Sequence, residues 1–251
     1  MNDPPHLHPP SGHRGPPKPT EFTARAIRKM FAAVAPRYDF LNHFLSLGRD
    51  VAWRKATAMA VRHILERPGS SAADVCCGTG DLAFELEHYS AGRVFGTDFC
   101  RPMLLLAKAK ARRHSTVFLE ADALALPFPD AFLDLVTLAF GFRNLANFTL
   151  GLTEMRRVLR PRGLLAILEF SEVRGLVSGP LFRFYFRNLL PRVGAWISGV
   201  PGPYQYLHDS VARFPNQQAL ADLLRAQGFQ NVRYVNFTGG IAALHLAEKA
   251  G

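Results

Sequence analysis

The hydrophobic positions change period along the chain. From Phe22 the stretch "ARAIRKMFAAVAPRYDFLNHFLSLG" places Ile27, Met30, Phe31 and Val34 at helical spacing before Pro36 interrupts. Tyr38, Leu41, Asn42 and Leu45 recur at threes and fours beyond it. Asp50 then reads as the N-cap of a third helix that runs to about Leu65 and stops at Pro68 and Gly69. Short apolar runs follow, alternating with helical ones. "AADVCC", "RVFGTD", "TVFLEAD", "FLDLVTLAF" and "GLLAILEFS" read as strands, and "GDLAFELEHY", "RPMLLLAKAKARR" and "TLGLTEMRRVL" as helices between them. Strands this apolar on both faces need helices on both sides, which implies a parallel sheet, and right-handed crossovers make it an α/β, doubly wound, Rossmann-like fold. Near the end "NQQALADLLRAQGF" predicts a helix closed by Gly228, and "VRYVNFTGGIAALHLAEK" an antiparallel hairpin turning at Gly239 and Gly240.

Two segments stand outside this rhythm. Residues 1–21, rich in proline and histidine with little apolar content, cannot offset the entropy of ordering and are expected to be a disordered tail. His6, His8 and His13 fall there among prolines, and no metal site is read into them. The remainder, 22–251, is expected to be a single domain carrying N-terminal helices and an insertion at 176–210. That insertion is crowded with aromatics (Phe182, Phe184, Tyr185, Phe186, Trp196) and arginines (Arg183, Arg187, Arg192).

Composition narrows the setting. The chain is 48% hydrophobic and 20% charged, and no apolar run reaches the about 20 residues of a spanning helix. A net charge of +10 suits an anionic partner, whether a small molecule, a lipid surface or a nucleic acid. Three cysteines, two of them adjacent, make no disulfide framework, so a cytoplasmic location is expected.

The candidate chemistry begins at "DVCCGTGD". A doubly wound sheet holds its ligand at the carboxyl ends of the strands, and Gly78 and Gly80 occupy the first strand-to-helix turn. Asp98 closes the second strand, where a carboxylate accepts ribose hydroxyl hydrogens. Asp122 and Ala123 close the third, the first suited to an adenine amino group and the second leaving room for the ring. Any one of these aspartates is as readily a helix cap. Suitable groups at three successive strand ends point to a nucleoside-containing cofactor. On these residues NAD and S-adenosylmethionine both remain open. Ala83 is tolerable in a G-x-G-x-x-G loop, whereas Asp74, just before the loop, suits the ammonium of the methionine cofactor.

The sequence resembles the bacterial C-methyltransferase family of menaquinone and ubiquinone biosynthesis, within the class I S-adenosylmethionine-dependent methyltransferases. The likeness runs from about Ala24 to Lys249 through "MFAAVAPRYDFLNHFLSLGRDVAWR", "DVCCGTGDLA", "GTDFCRPMLLLAKAK", "ADALALPFPDAFLD", "AFGFRN", "EMRRVLRPRG", "LEFS", "YQYLHDSVARFP" and "TGGIAALH". Cys76 stands where many methyltransferases have the first glycine of the loop, and "RPRG" and "DFC" are further departures. The resemblance implies a seven-stranded sheet, mostly parallel with a C-terminal antiparallel hairpin. It implies S-adenosylmethionine as cofactor, held by Thr79, Asp98, Asp122 and Ala123, and it leaves the cysteine pair as strand-end core with no metal.

It also implies a prenylated demethylmenaquinol acceptor, or the benzoquinol precursor of ubiquinone in its place or in addition. Methylating a ring carbon requires an electron-rich ring, and a phenolic hydroxyl titrates near about 10. Arg143, after the fourth strand, is the candidate cation for the aryloxide, with Asn144 to fix the ring. Tyr38 and Asp39 are candidates to close over the acceptor, as is Asn42; Tyr206, His208 and Asp209 are weaker ones. The insertion suits a prenyl tail and lipid phosphates, so peripheral contact with the inner face of a membrane is expected, and a homo-oligomer is left open. No nucleic acid partner is expected, because "AFGFRN" stands where base-methylating enzymes carry an Asn-Pro-Pro-aromatic run. The remaining rivals are a non-catalytic quinone-binding scaffold and a nicotinamide oxidoreductase.

Overall fold

Five consecutive buried positions, Ser71 to Val75, form the strand from which the sheet is built outward. The structure is a computed structural model that describes residues 24–35, 39, 43, 46, 48–111, 114–171 and 209–251. Helices α1 (Ala24–Val34) and α2 (Arg49–Leu65) come first. The core alternation is β1 (Ser71–Val75), α3 (Asp81–Glu87), β2 (Arg93–Asp98), α4 (Arg101–Lys110), β3 (Val117–Glu120), β4 (Leu133–Ala139), α5 (Phe148–Val158) and β5 (Leu159–Phe170). Then α6 (Gln217–Ala226), β6 (Phe229–Phe237) and β7 (Ala242–Lys249) complete the described elements. The sheet has seven strands in the order β3-β2-β1-β4-β5-β7-β6. Pairings β1–β2, β1–β4, β2–β3 and β4–β5 are parallel, while β7 runs antiparallel between β5 and β6.

Alternate side chains of each central strand feed opposite layers, as the two-faced apolar runs require. Ala72, Leu164, Ala166 and Leu168 pack with Trp53, Val61, Leu82, Leu86 and Leu104 of α2, α3 and α4. Ala73, Val75, Leu165 and Ile167 pack with Leu152, Met155, Leu220 and Leu224 of α5 and α6. The C-terminal hairpin turns through three successive left-handed residues, Thr238 (φ 48°), Gly239 (φ 68°) and Gly240 (φ 96°), the last two being the glycines that predicted it.

Three expectations need correction. Asp50 is not the N-cap of α2: left-handed Gly48 (φ 72°) holds that position, and Asp50 lies inside the first turn with 2% exposure. Its carboxylate accepts from Ser46 Oγ at 2.6 Å and from Arg54 Nη1 at 2.5 Å, and lies 2.8 Å from His43 Nδ1. Burial pushes this carboxyl up, but those donors and cations together hold it below its usual range. β3 ends at Glu120, so Asp122 lies in the turn beyond it rather than closing the strand. β5 begins at Leu159, ahead of Gly163, because Leu159 pairs with Leu133 beyond a register irregularity and Arg162 (φ 63°) absorbs the kink. The proline-rich tail, most of the second amphipathic segment and nearly all of the insertion at 176–210 lie outside the described residues.

The site is positioned by the central pair of strands. β1 and β4 are parallel neighbours whose chains continue into α3 and α5, in opposite layers, so a crevice opens between their carboxyl ends. Both chains leave through a left-handed non-glycine residue, Cys76 (φ 55°) after β1 and Phe140 (φ 59°) after β4. Gly141 packs so closely that a Cβ there would sit 2.4 Å from Cys76 Cβ. Gly141→Ala is therefore expected to lower stability by about 1–3 kcal/mol, read by thermal denaturation. An unshifted melting curve would contradict the close approach.

Candidate active site

The loop after β1 folds back on β2. Cys77 N–H donates to Thr97 O at 3.0 Å, and Gly80 N–H to Cys77 O at 2.9 Å. Gly78 and Gly80 both take left-handed φ, 55° and 87°. A Cβ on Gly80 would come within 2.9 Å of the Phe118 ring, so glycine is needed there for space as well as for conformation. Asp98, at the end of β2, braces this loop: Gly78 N–H donates to Oδ2 at 2.9 Å and Cys100 N–H to Oδ1 at 2.8 Å. Each oxygen keeps a lone pair for a further donor. Burial pushes the Asp98 carboxyl up, against the pull of the Cys100, Gly78 and Phe99 N–H groups.

Asp74 lies one strand inward, 1% exposed, and accepts from Thr137 Oγ1 at 2.8 Å. Burial raises its pKa from the usual 3.8 to about 7, with Asp98 adding to the rise and Thr137 and Arg54 opposing it. Arg54 reaches the same cleft from α2, beside Asp74, Gly78, Thr79 and Asp81. Its Nη1 is 3.8 Å from an Asp81 oxygen, and its guanidinium carbon stands 5.6 Å from the Phe140 ring centre. Asp39 is placed over this loop: its carboxylate accepts from Thr79 Oγ1 at 2.5 Å and from Lys110 Nζ at 2.5 Å. Lys110 also pairs with Asp81 at 2.9 Å, so Asp39 is tied by charge to the start of α3.

Arg143 and Asn144 lie in a single 3₁₀ turn after β4. The Arg143 side chain is 6% exposed and bonded inward, Nη1 donating to Glu169 Oε2 at 2.9 Å and to Phe140 O at 2.5 Å. Its cation is thus neutralised by a buried acid at the end of β5, and breaking such a pair costs about 3–5 kcal/mol. Asn144 lines a cleft together with Asp98, Cys100, Phe140, Gly141 and Phe31, so Asn144 and Asp98 share one cavity. Ala123 is 5% exposed, whereas Asp122 is exposed and its Oδ1 accepts from Leu124 N–H at 2.9 Å, stabilising the turn it stands in. Asp209 is half-buried. Tyr38, Asn42, Tyr206 and His208 lie outside the described residues.

These acids act together on Cys76. Burial raises its thiol well above its usual value, and Asp98, Asp74, Asp122 and Glu169 raise it further. The strand-end cysteines therefore stay protonated, and the same field favours a cation in the crevice. Three contributors were not singled out in the sequence: Glu169, Arg54 and Gly141. Glu169 had a readable signal, a lone charge closing the apolar run "LLAILEF". Arg54 had a weaker one, its place four residues after Asp50 on a helix. Nothing local marked Gly141 as a contact of Cys76.

Solved structures share this architecture at low sequence identity. A Thermotoga maritima structure described as an S-adenosylmethionine-dependent methyltransferase, possible histamine N-methyltransferase, superposes with a TM-score of 0.62 at 17% identity, covering 88% of this chain and 99% of that one. Relatives in sequence are much nearer. A demethylmenaquinone methyltransferase of Deinococcus radiodurans is 48% identical over 229 residues, covering 90% of this chain and 93% of its own. One of Thermus thermophilus is 47% identical over 223 residues, covering 88% of this chain and all of its own. The sequence model of the ubiE/COQ5 methyltransferase family matches residues 20–249. The chain therefore belongs to the ubiE/COQ5 methyltransferase family and is an S-adenosylmethionine-dependent C-methyltransferase with the class I fold.

Proposed function

We propose that this enzyme transfers a methyl group to a ring carbon of demethylmenaquinol, forming menaquinol. The observation that carries the reading is that Asn144, beside Arg143, and Asp98 line one cavity, so a group for the acceptor and a group for the cofactor face the same space. The names of the Deinococcus radiodurans and Thermus thermophilus relatives support the choice of acceptor.

The residues fit the cofactor. Asp98 has lone pairs left for ribose hydroxyls, and buried Ala123 leaves room beside an adenine edge. Asp74 and Arg54, of opposite charge in one cleft, match the ammonium and carboxylate of an amino acid end. When bound, S-adenosylmethionine supplies an electrophilic methyl group on a sulfonium. The negative charge of Asp98 and of ionised Asp74 at the strand ends favours that positive charge within the crevice. On the acceptor side, a hydrogen bond from Arg143 to a ring hydroxyl oxygen favours its ionised form and raises electron density at the ring carbon. Asn144 fixes the ring plane.

The deciding assay is methyl transfer from labelled S-adenosylmethionine to a short-chain demethylmenaquinol and to the matching benzoquinol, both kept reduced. Turnover on the naphthoquinol is expected. Asp98→Ala should weaken cofactor binding by about tenfold or more, and Arg143→Ala should lower kcat by about a hundredfold. Cofactor binding without turnover on either quinol would overturn the acceptor assignment.

Asp74 makes affinity depend on pH. Its folded pKa of about 7 lies above the usual 3.8, so its contribution to stability is fully present below the lower value and is lost as pH rises through about 7. The anion that pairs with the cofactor's ammonium appears over the same interval. Calorimetry between about pH 6 and pH 8 should show binding tighten by up to about tenfold, with a flatter profile in Asp74→Asn. Equal profiles in the two proteins would remove Asp74 from the binding account.

A further inference from the structure

Glu169 belongs to no motif singled out for chemistry, yet it is 1% exposed and is the ion-pair partner of the proposed catalytic arginine. Its carboxylate accepts from the Arg143 backbone N–H at 3.2 Å, from Arg143 Nη1 at 2.9 Å and from the Phe170 N–H at 3.1 Å. One acid at the end of β5 thus fixes both the backbone and the guanidinium of the turn that follows β4. The Phe140 carbonyl takes a second bond from the same Nη1, and the Phe170 ring centre lies 5.6 Å from the guanidinium carbon. Arg143 Nε, by contrast, is buried with no hydrogen-bond partner among the described residues. Buried donors without an acceptor are rare in folded proteins, and a missing ligand is one of their causes. The neighbouring residue, Asn144, lines the cavity that Asp98 also lines.

We propose that Glu169 is a positioning residue for methyl transfer: it locks the Arg143 guanidinium so that the unpaired Nε–H is presented to a hydroxyl oxygen of the acceptor. The inference rests on the quinol methylation proposed above and adds the group that orients its arginine. Two physical consequences follow from the pairing. With Nη1 held by Glu169 and Phe140 O, the guanidinium cannot rotate, so a planar acceptor meets a donor of fixed direction. The Glu169 carboxylate also cancels the arginine's charge at longer range, so Arg143 offers a strong donor at contact distance without repelling the cationic methyl donor in the same crevice.

The test compares full-length wild type, Glu169→Gln, Glu169→Asp, Arg143→Gln and the double variant Arg143→Gln/Glu169→Gln. Cofactor affinity is measured by calorimetry, and kcat and KM on a reduced short-chain demethylmenaquinol. Cofactor affinity and KM should stay within about twofold of wild type while kcat of Glu169→Gln falls by about a hundredfold. The double variant should be no slower than Arg143→Gln, because the two residues act as one unit. Glu169→Asp keeps the charge and retracts it by one methylene, so it is expected to fold and still lose kcat severalfold. If Glu169→Gln does not fold, this variant decides the question. Wild-type kcat in either Glu169 variant overturns the proposal, as do losses that multiply in the double variant. A wild type that turns over neither quinol overturns the acceptor assignment together with this inference, whereas wild-type turnover with Glu169 variants unaffected overturns the inference alone.

Discussion

The contact on which the site depends is the close approach of Gly141 to Cys76 at the carboxyl ends of β1 and β4. The two central strands are parallel, their chains depart into opposite layers, and each departs through a left-handed residue. Strain of that kind in Cys76 and Phe140 persists only where packing over-determines it. Here it is held by the 2.4 Å clearance left for a Cβ at Gly141 and by the Phe140 N–H bonded to Leu168 O at 2.8 Å. From this junction the glycine loop turns one way toward Asp98 and the Arg143 turn goes the other way toward Glu169, and the crevice lies between them.

The electrostatics follow from that geometry. Burial at the strand ends raises the cost of ionisation, which is why Asp74 stands at about 7 and Asp98 is also raised; for Asp74 the neighbouring Asp98 adds to the rise. Thr137 and the backbone N–H groups of the loop relieve part of this, and the two arginines that approach the crevice are each bonded to an acid of their own, Arg54 to Asp50 and Arg143 to Glu169. With both cations paired, the strand-end carboxylates set the sign of the crevice, an environment that suits a sulfonium better than a phosphate. The pyrophosphate of a nicotinamide cofactor would meet the same carboxylates with the opposite sign.

Much of this was legible in the residue pattern because it depends on local chemistry. Alternating apolar runs and amphipathic segments fixed the strand sequence, and Gly239-Gly240 marked the hairpin through its need for positive φ. Asp98 was readable as a strand-end carboxylate next to a glycine loop. What was not legible depends on tertiary approach. Asp50 has the chemistry of a cap in either reading, and only the left-handed Gly48 shows that it lies inside the helix with Arg54. Asp39 reads as an acceptor group by position, but the fold sets it on Thr79 and Lys110. Glu169 and Arg143 are far apart in sequence and meet only because β4 and β5 are adjacent.

The most direct test of the account is a crystal structure of the enzyme with S-adenosylhomocysteine and a short-chain naphthoquinol. The account predicts the ribose hydroxyls on Asp98 and a ring hydroxyl oxygen within hydrogen-bond distance of Arg143 Nε, with the Arg143–Glu169 pair intact. A ring bound away from Arg143 and Asn144, or a ribose that leaves Asp98 untouched, would contradict it.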